Sequence, residues 1–162
     1  MKINIREAKR EDMKAVLELI QELAVFEKEP DAVIITEANL IKDGFEENPA
    51  FKCFVAEADG NIEGMALVYE RYSTWKGRTV HLEDLIVRDK FRGKGLGSAL
   101  YTRVIKYGHE KGVKRVEWVV LDWNTGAIDF YNRSGAMVLQ DWNTVHMNEE
   151  GIKNYLIQKG SL

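Results

Sequence analysis

Cysteine and proline are scarce in this chain of 162 residues. It contains one cysteine, Cys53, and two prolines, Pro30 and Pro49. A single cysteine cannot form an intramolecular disulfide, and no Cys/His pair has the spacing of zinc ligands, so we expect no metal site and a reducing compartment. The chain also lacks repeats and Ser/Gly/Pro-rich linkers. These absences predict one domain over residues 1–162.

Long hydrophobic runs are missing as well. The longest, such as residues 65–69, are far shorter than the roughly 20 residues that cross a bilayer. The N-terminal residues are charged and do not resemble a signal peptide. We therefore expect a cytoplasmic protein with no membrane partner.

A strong excess of either charge is absent overall but present locally. The net charge of -3 argues against a general nucleic-acid binder. Residues 88–115, however, contain nine Lys/Arg and two acids, a net +7, which leaves -10 for the remainder. Residues 21–47 alone carry -6. The basic segment suits a ligand with several phosphates, and the acidic remainder suits a cationic second ligand.

Hydrophobic periodicity predicts the element order β-α-α-β-β-β-α-β-α-β-β. Thr36 is the predicted N-cap of the second helix, which should end near Gly44. The last three predicted strands cover residues 116–121, 136–139 and 144–147. This order predicts a mixed α+β sheet flanked by helices.

A glycine-rich segment, Arg92–Ser98, lies between a predicted strand and a predicted helix. The helix N-terminus presents backbone N–H groups to an anion, and glycine permits close approach of the backbone to a phosphate. Ser98 replaces the third glycine of a dinucleotide fingerprint, and the Gly-Lys-Ser/Thr ending of a P-loop is missing. A flexible turn is the alternative, but the cations clustered around the loop favour phosphate binding.

Several motifs together resemble one family. The loop Arg92–Gly97 resembles the pyrophosphate loop of the GNAT N-acetyltransferases, and four further segments match the diamine (spermidine/spermine-type) subgroup in order and spacing: Glu22–Glu27, Leu40–Phe45, Leu82–Val87 and Asp122–Ala136. The resemblance implies a mixed, mostly antiparallel sheet with a splay between its two middle strands. It also implies acetyl-CoA as cosubstrate and a homodimer.

The same resemblance assigns site residues. Tyr131 and Glu83 would be catalytic, as general acid and as the residue that deprotonates the amine. The implied acetyl-CoA contacts are Leu85, Ile86, Val87, Arg92, Gly93, Lys94, Gly95, Leu96, Gly97, Ser98, Asn124, Thr125, Gly126, Ala127 and Tyr131. The implied substrate contacts are Phe26, Glu27, Glu83, Asp84, Glu117, Trp118, Val119 and Trp142.

Ordinary structural interpretations compete with these roles. Tyr131 fits a core tyrosine, and Glu83 fits a solvent-facing or ion-paired strand residue. Two adjacent acids in the apolar strand Leu82–Val87 are, however, costly to bury without a purpose. Two positions depart from the subgroup: Phe26, where it often has tyrosine, and the segment after Ala136, which lacks a further acid.

We therefore predict direct acetyl transfer from acetyl-CoA to a primary amine of a small polyamine or diamine. Alternative acceptors are a lysine-like amino acid such as thialysine, or a protein or peptide amine. A CoA-binding sensor without catalysis is the alternative from another class.

Overall fold

The computed structural model describes residues 2–161, which divide into two compact units. The first unit ends at Val119 and the second begins at Val120. The helices of the first unit are α1 (Met13–Phe26), α2 (Glu37–Phe45) and α3 (Leu96–Glu110), and those of the second are α4 (Thr125–Arg133) and α5 (Glu149–Gln158). No helix among residues 2–161 is long and apolar enough to span a membrane.

A five-stranded sheet forms the centre of the first unit. Its strands lie in sequence order: β1 (Ile3–Glu7), β2 (Lys52–Ala58), β3 (Asn61–Ser73), β4 (Gly77–Val87) and β5 (Val116–Glu117). The first four strands pair antiparallel, and β4 pairs with β5 in parallel. The predicted mixed, mostly antiparallel α+β fold is confirmed.

Each face of this sheet carries its own apolar core. Leu96, Leu100 and Val104 of α3 pack on one face, and α1 and α2 supply Met13 and Leu40 to the other. The Thr36 cap is confirmed, because its Oγ1 accepts a hydrogen bond of 3.2 Å from the Asn39 amide. Because α1 and α3 pack on opposite faces of the sheet, their ends are held in fixed positions relative to β4.

A β-bulge interrupts the alternation of side chains in β4. Leu82 lies opposite Val68 and Asp84 lies opposite Leu67, so Glu83 is an extra residue on β4. Leu82 belongs to the core on the α3 side, whereas Ile86 belongs to the core on the α1 side. The bulge therefore turns both Glu83 and Asp84 toward the α1 side of the sheet.

The splay lies between β4 and β5. These strands pair only at Val80 with Val116 and at His81 with Glu117. The prediction of a strand over residues 116–121 is thus too long. The last pair lies two residues before the bulge at Glu83, and a bulge bends its strand, so pairing with β5 does not continue along β4.

The predicted strands at residues 136–139 and 144–147 are wrong: in the part of the chain that the structure describes, neither segment is a strand. Four of their apolar side chains are solvent-exposed: Met137, Leu139, Val145 and Met147. A strand is stable only when its backbone N–H and C=O groups pair with a neighbouring strand. Alternation of apolar and polar residues in the sequence does not supply that neighbour.

Candidate active site

The glycine loop connects the end of β4 to the first turn of α3. Gly93 and Gly95 have φ angles of 70° and 88°, and Gly95 is the N-cap residue of α3. A Cβ atom at either position would meet no other heavy atom within 4 Å, so crowding does not exclude larger residues. Glycine is favoured because the backbone is left-handed at both positions. The first helical hydrogen bond runs from the Ala99 amide to the Gly95 carbonyl. The amides of residues 96–98 therefore have no acceptor within the helix and can bind an anion.

Arg92 is held at the entrance to this loop by three contacts. Its Nε donates to the Val87 carbonyl at 3.3 Å, and its Nη1 lies 3.1 Å from Asp89. Its guanidinium lies 5.1 Å from the ring centroid of Phe26, at the end of α1. A predicted substrate residue thus contacts a predicted phosphate-binding cation.

Arg88 serves a different purpose from the one that the charge count suggested. It pairs with Glu18 and Glu22 of α1 and with the buried Glu63 of β3. Lys90 also lies 3.5 Å from Glu63. These carboxylates pair with two of the four cations between residues 88 and 94. The other two, Arg92 and Lys94, are the cations closest in sequence to the loop amides.

The backbone of β4 beyond the splay is the second predicted acetyl-CoA contact. The side chains of Ile86 and Val87 are buried, and Leu85 is partly buried in the core on the α3 side. Pairing with β5 ends at His81. The backbone edge of residues 85–87 can therefore pair with an extended ligand, as sheet edges do with peptides.

Three carboxylates converge on the α1 side of β4. Glu27, directly after α1, and the neighbours Glu83 and Asp84 interact electrostatically. Burial, and then the charges of Glu83 and Glu27, raise the pKa of Asp84 to about 6. Burial, followed by the charge of Glu83, also raises the pKa of Glu27. Within residues 2–161, Glu27 and Asp84 have no ion-pair partner, so the cluster favours a cationic ligand.

Two residues without a predicted role, His81 and Tyr69, surround Glu83. His81 Nε2 lies 3.5 Å from Glu83 Oε2. The Tyr69 ring lies against His81 with ring centroids 5.0 Å apart, and burial, followed by the charge of Glu83, raises the pKa of its phenol. The two-residue spacing of His81 and Glu83 in one strand is a sequence signal that places them on the same side.

Glu117, Trp118 and Val119 occupy β5 and the residues after it. The Glu117 carboxylate already pairs with Arg71 at 3.1 Å and Arg115 at 2.5 Å. Trp118 packs against the core on the α3 side, and Val119 is 71% exposed. Glu117 is therefore already ion-paired, although its charge still acts on Tyr69 and His81 beside Glu83.

The second unit carries the remaining predicted site residues. Asn124 is the N-cap of α4, and its Oδ1 accepts from the Ala127 amide at 3.4 Å. Thr125 and Gly126 form the first turn of α4. Tyr131 lies seven residues after Asn124, on the same side of the helix. Trp142 lies in the segment without regular structure between α4 and α5.

The chain matches one protein family and several curated relatives. A family described as "Acetyltransferase (GNAT) family" matches residues 13–136. Thialysine N-epsilon-acetyltransferase of Bos taurus is 40% identical over 162 residues, covering 93% of this chain and 95% of that protein. Spermidine/spermine N(1)-acetyltransferase-like protein 1 of Homo sapiens is 32% identical, covering 90% of this chain and 22% of that protein.

A solved structure resembles the fold. It is AAC(6')-Iy in complex with a bisubstrate analog, CoA-S-monomethyl-acetylneamine, with a TM-score of 0.76. It is 19% identical, and the match covers 91% of this chain and 99% of that chain. At this identity the likeness concerns the fold alone.

Proposed function

We propose, since this chain belongs to the GNAT acetyltransferase family, that its acetyl acceptor is a primary amine of a small polyamine or diamine. The chain is an N-acetyltransferase, and acetyl-CoA is the acetyl donor.

The cluster of Glu27, Glu83 and Asp84 carries the proposal. Burial and the charge of Glu83 raise the pKa values of Glu27 and Asp84, so this cluster gains most from a ligand that brings positive charge. A diamine brings two charges, one on the reacting nitrogen and one on the distal nitrogen. Phe26, Glu117, Trp118, Val119 and Trp142 are proposed further contacts along this acceptor.

The residues around the glycine loop fit the CoA pyrophosphate. The amides of Leu96, Gly97 and Ser98 open a helix, Arg92 and Lys94 supply charge, and Gly93 and Gly95 leave space beside the backbone. When bound, acetyl-CoA supplies an acetyl group on a thioester. We assign its pantetheine arm to the edge of Leu85, Ile86 and Val87.

The α4 residues complete this assignment. Asn124 is the N-cap of α4 and Thr125, Gly126 and Ala127 form its first turn, and we assign these residues to binding the CoA arm. Tyr131 of the same helix is the proposed proton donor to the departing sulfur, because a phenol of pKa near 10 protonates a thiolate readily.

Glu83 is the proposed base. An alkylamine is protonated near neutrality and must lose a proton before it attacks a carbonyl. The side chain of Glu83 is 51% exposed and can reach a bound ligand, whereas Asp84 is more enclosed. Asp84 and Glu27 are therefore assigned to binding the cation.

Direct transfer is the proposed route. Cys53 is buried in β2, and burial raises the pKa of its thiol to about 12. Such a thiol stays protonated and is a poor nucleophile. Direct attack by the amine within a ternary complex does not need it.

A lysine-like amino acid is the second candidate acceptor. The Bos taurus relative, named for thialysine, supports it. Such an acceptor adds a carboxylate to the diamine framework. The acidic cluster would oppose that carboxylate unless it lies away from Glu27 and Asp84.

A matched pair of acceptors separates these candidates, since lysine is cadaverine with one added carboxylate. We would measure thiol release from acetyl-CoA with both, and with putrescine, spermidine, spermine, thialysine and a lysine peptide. The proposal predicts a higher kcat/KM for the diamines and polyamines than for the amino acids. A higher kcat/KM for thialysine and lysine would contradict the diamine proposal and support a lysine-like amino acid as the acceptor. Binding of acetyl-CoA with no acetylation of any acceptor would instead indicate a CoA-binding sensor.

A further inference from the structure

His81 is a buried histidine directed at the proposed base. It is 7% exposed, and its Nε2 lies 3.5 Å from Glu83 Oε2 on the same strand. Its Nδ1 is buried and has no hydrogen-bond partner in the described part of the chain. The only polar contact that this ring makes there is therefore the one toward Glu83.

Tyr69 reaches the same carboxylate from the neighbouring strand. It is the register partner of His81 across β3 and β4, and the two rings stack at 5.0 Å. Burial, followed by the charge of Glu83, raises the pKa of the Tyr69 phenol. The phenol therefore keeps its proton near neutral pH and can donate a hydrogen bond to the Glu83 carboxylate.

The chemistry of a carboxylate selects the tautomer of His81. An ionised carboxylate only accepts hydrogen bonds, so the imidazole must present N–H at Nε2 and a lone pair at Nδ1. Burial lowers the pKa of His81, the charge of Arg71 lowers it further, and the charges of Glu83 and Glu117 oppose this. A neutral ring with its proton on Nε2 satisfies these surroundings, to which Tyr69 adds a neutral phenol.

We propose that Tyr69 and His81 are positioning residues whose two donors fix the orientation of the Glu83 carboxylate toward the amine. This inference rests on the proposed function, in which Glu83 is the base. Because half of the Glu83 side chain is exposed, its carboxylate would otherwise rotate freely among several orientations. Donors on two adjacent strands restrict it to one.

Imidazole spectra test the contact without measuring activity. In ¹⁵N-labelled protein, we expect the ring nitrogens of His81 to show the Nε2–H tautomer. In Glu83→Gln, the pKa of His81 should fall further, because the charge that raises it is gone. An Nδ1–H tautomer, or a His81 titration identical in both proteins, would overturn the proposal.

Kinetics test the consequence of the contact. Tyr69→Phe and His81→Phe should each lower kcat about tenfold, the effect of losing one hydrogen bond to a charged group. The KM for acetyl-CoA should stay unchanged, and His81→Gln, which keeps an N–H donor, should recover part of kcat. In the Glu83→Gln background the same substitutions should cause no further loss.

The two tests distinguish this proposal from the function on which it rests. Equal losses in both backgrounds, or full kcat in both Phe variants, would contradict positioning through Glu83. If Glu83→Gln itself retains full turnover, the base assignment fails, whereas the ring spectra still decide whether His81 contacts Glu83. Thermal unfolding of each variant separates a loss of fold from a loss of positioning.

Discussion

Glu83 and Asp84 are neighbours in one strand, yet both face the α1 side of the sheet. In a regular strand they would point to opposite faces. The bulge in β4 removes this alternation, because Leu82 and Asp84 pair with consecutive residues of β3. Two adjacent carboxylates therefore share one site with Glu27. Burial, followed by the charges of Glu83 and Glu27, raises the pKa of Asp84 to about 6, while Glu83 remains accessible.

Replacing Glu83 should mainly impair proton removal. We expect Glu83→Gln to lower kcat/KM for the amine by about 10²-fold or more, the contribution of a general base. Stopped or continuous assays of thiol release measure this directly. Glu70→Gln is the matched control, since Glu70 is an exposed acid on β3 that pairs with Arg78 and Lys111. Comparable losses of kcat/KM in both variants would contradict the assignment of Glu83 as the base.

Asp84 should make stability depend on pH. Its pKa in the folded protein, about 6, exceeds the ordinary value of 3.8, so its favourable contribution is complete below about pH 4 and is lost as pH rises through 6. Asp84→Asn should therefore increase the free energy of unfolding at pH 8 by about 3 kcal/mol, with little change near pH 4.

Urea denaturation at several pH values measures this difference. Asp43→Asn, at an exposed position of α2, is the matched control for replacing an acid by its amide. The Asp84 variant should also bind diamines more weakly. A pH-independent difference would contradict the burial of its charge.

Two glycines with the same backbone φ angle allow an effect of backbone strain to be distinguished from an effect on ligand binding. Gly95 in the loop and Gly60 in the β2–β3 turn both have a φ of 88° and open space for a Cβ. Alanine at either site should cost about 1–2 kcal/mol of stability. Only Gly95→Ala should also raise the KM for acetyl-CoA, by about tenfold, because it displaces the amides that bind the pyrophosphate. An equal KM in the two variants would exclude this loop from the CoA site.

Tyr131→Phe should lower kcat sharply and leave the fold intact, since only a hydroxyl is removed. Its matched control is Tyr155→Phe on α5, where the ring is half exposed. Steady-state kinetics and circular dichroism measure both effects. Unaltered turnover in Tyr131→Phe would leave the proton donor unassigned.

Local sequence signals predicted the features that depend on neighbouring residues. The Thr36 cap, the end of α2 near Gly44 and the position of the glycine loop between β4 and α3 follow from propensity and spacing over a few residues. The strands predicted after Ala136 failed, because strand formation requires a partner edge that no local pattern supplies.

The sequence by itself determined the family, the glycine loop and the separation of basic and acidic segments. Tertiary structure alone decided how these charges are used. It pairs Arg88 and Lys90 with Glu63, and it brings Glu27 to Glu83 and Asp84. It also places Tyr69 and His81 beside Glu83. These contacts depend on the register of β3 against β4 and on the packing of α1, which are long-range properties that spacing along the chain does not encode.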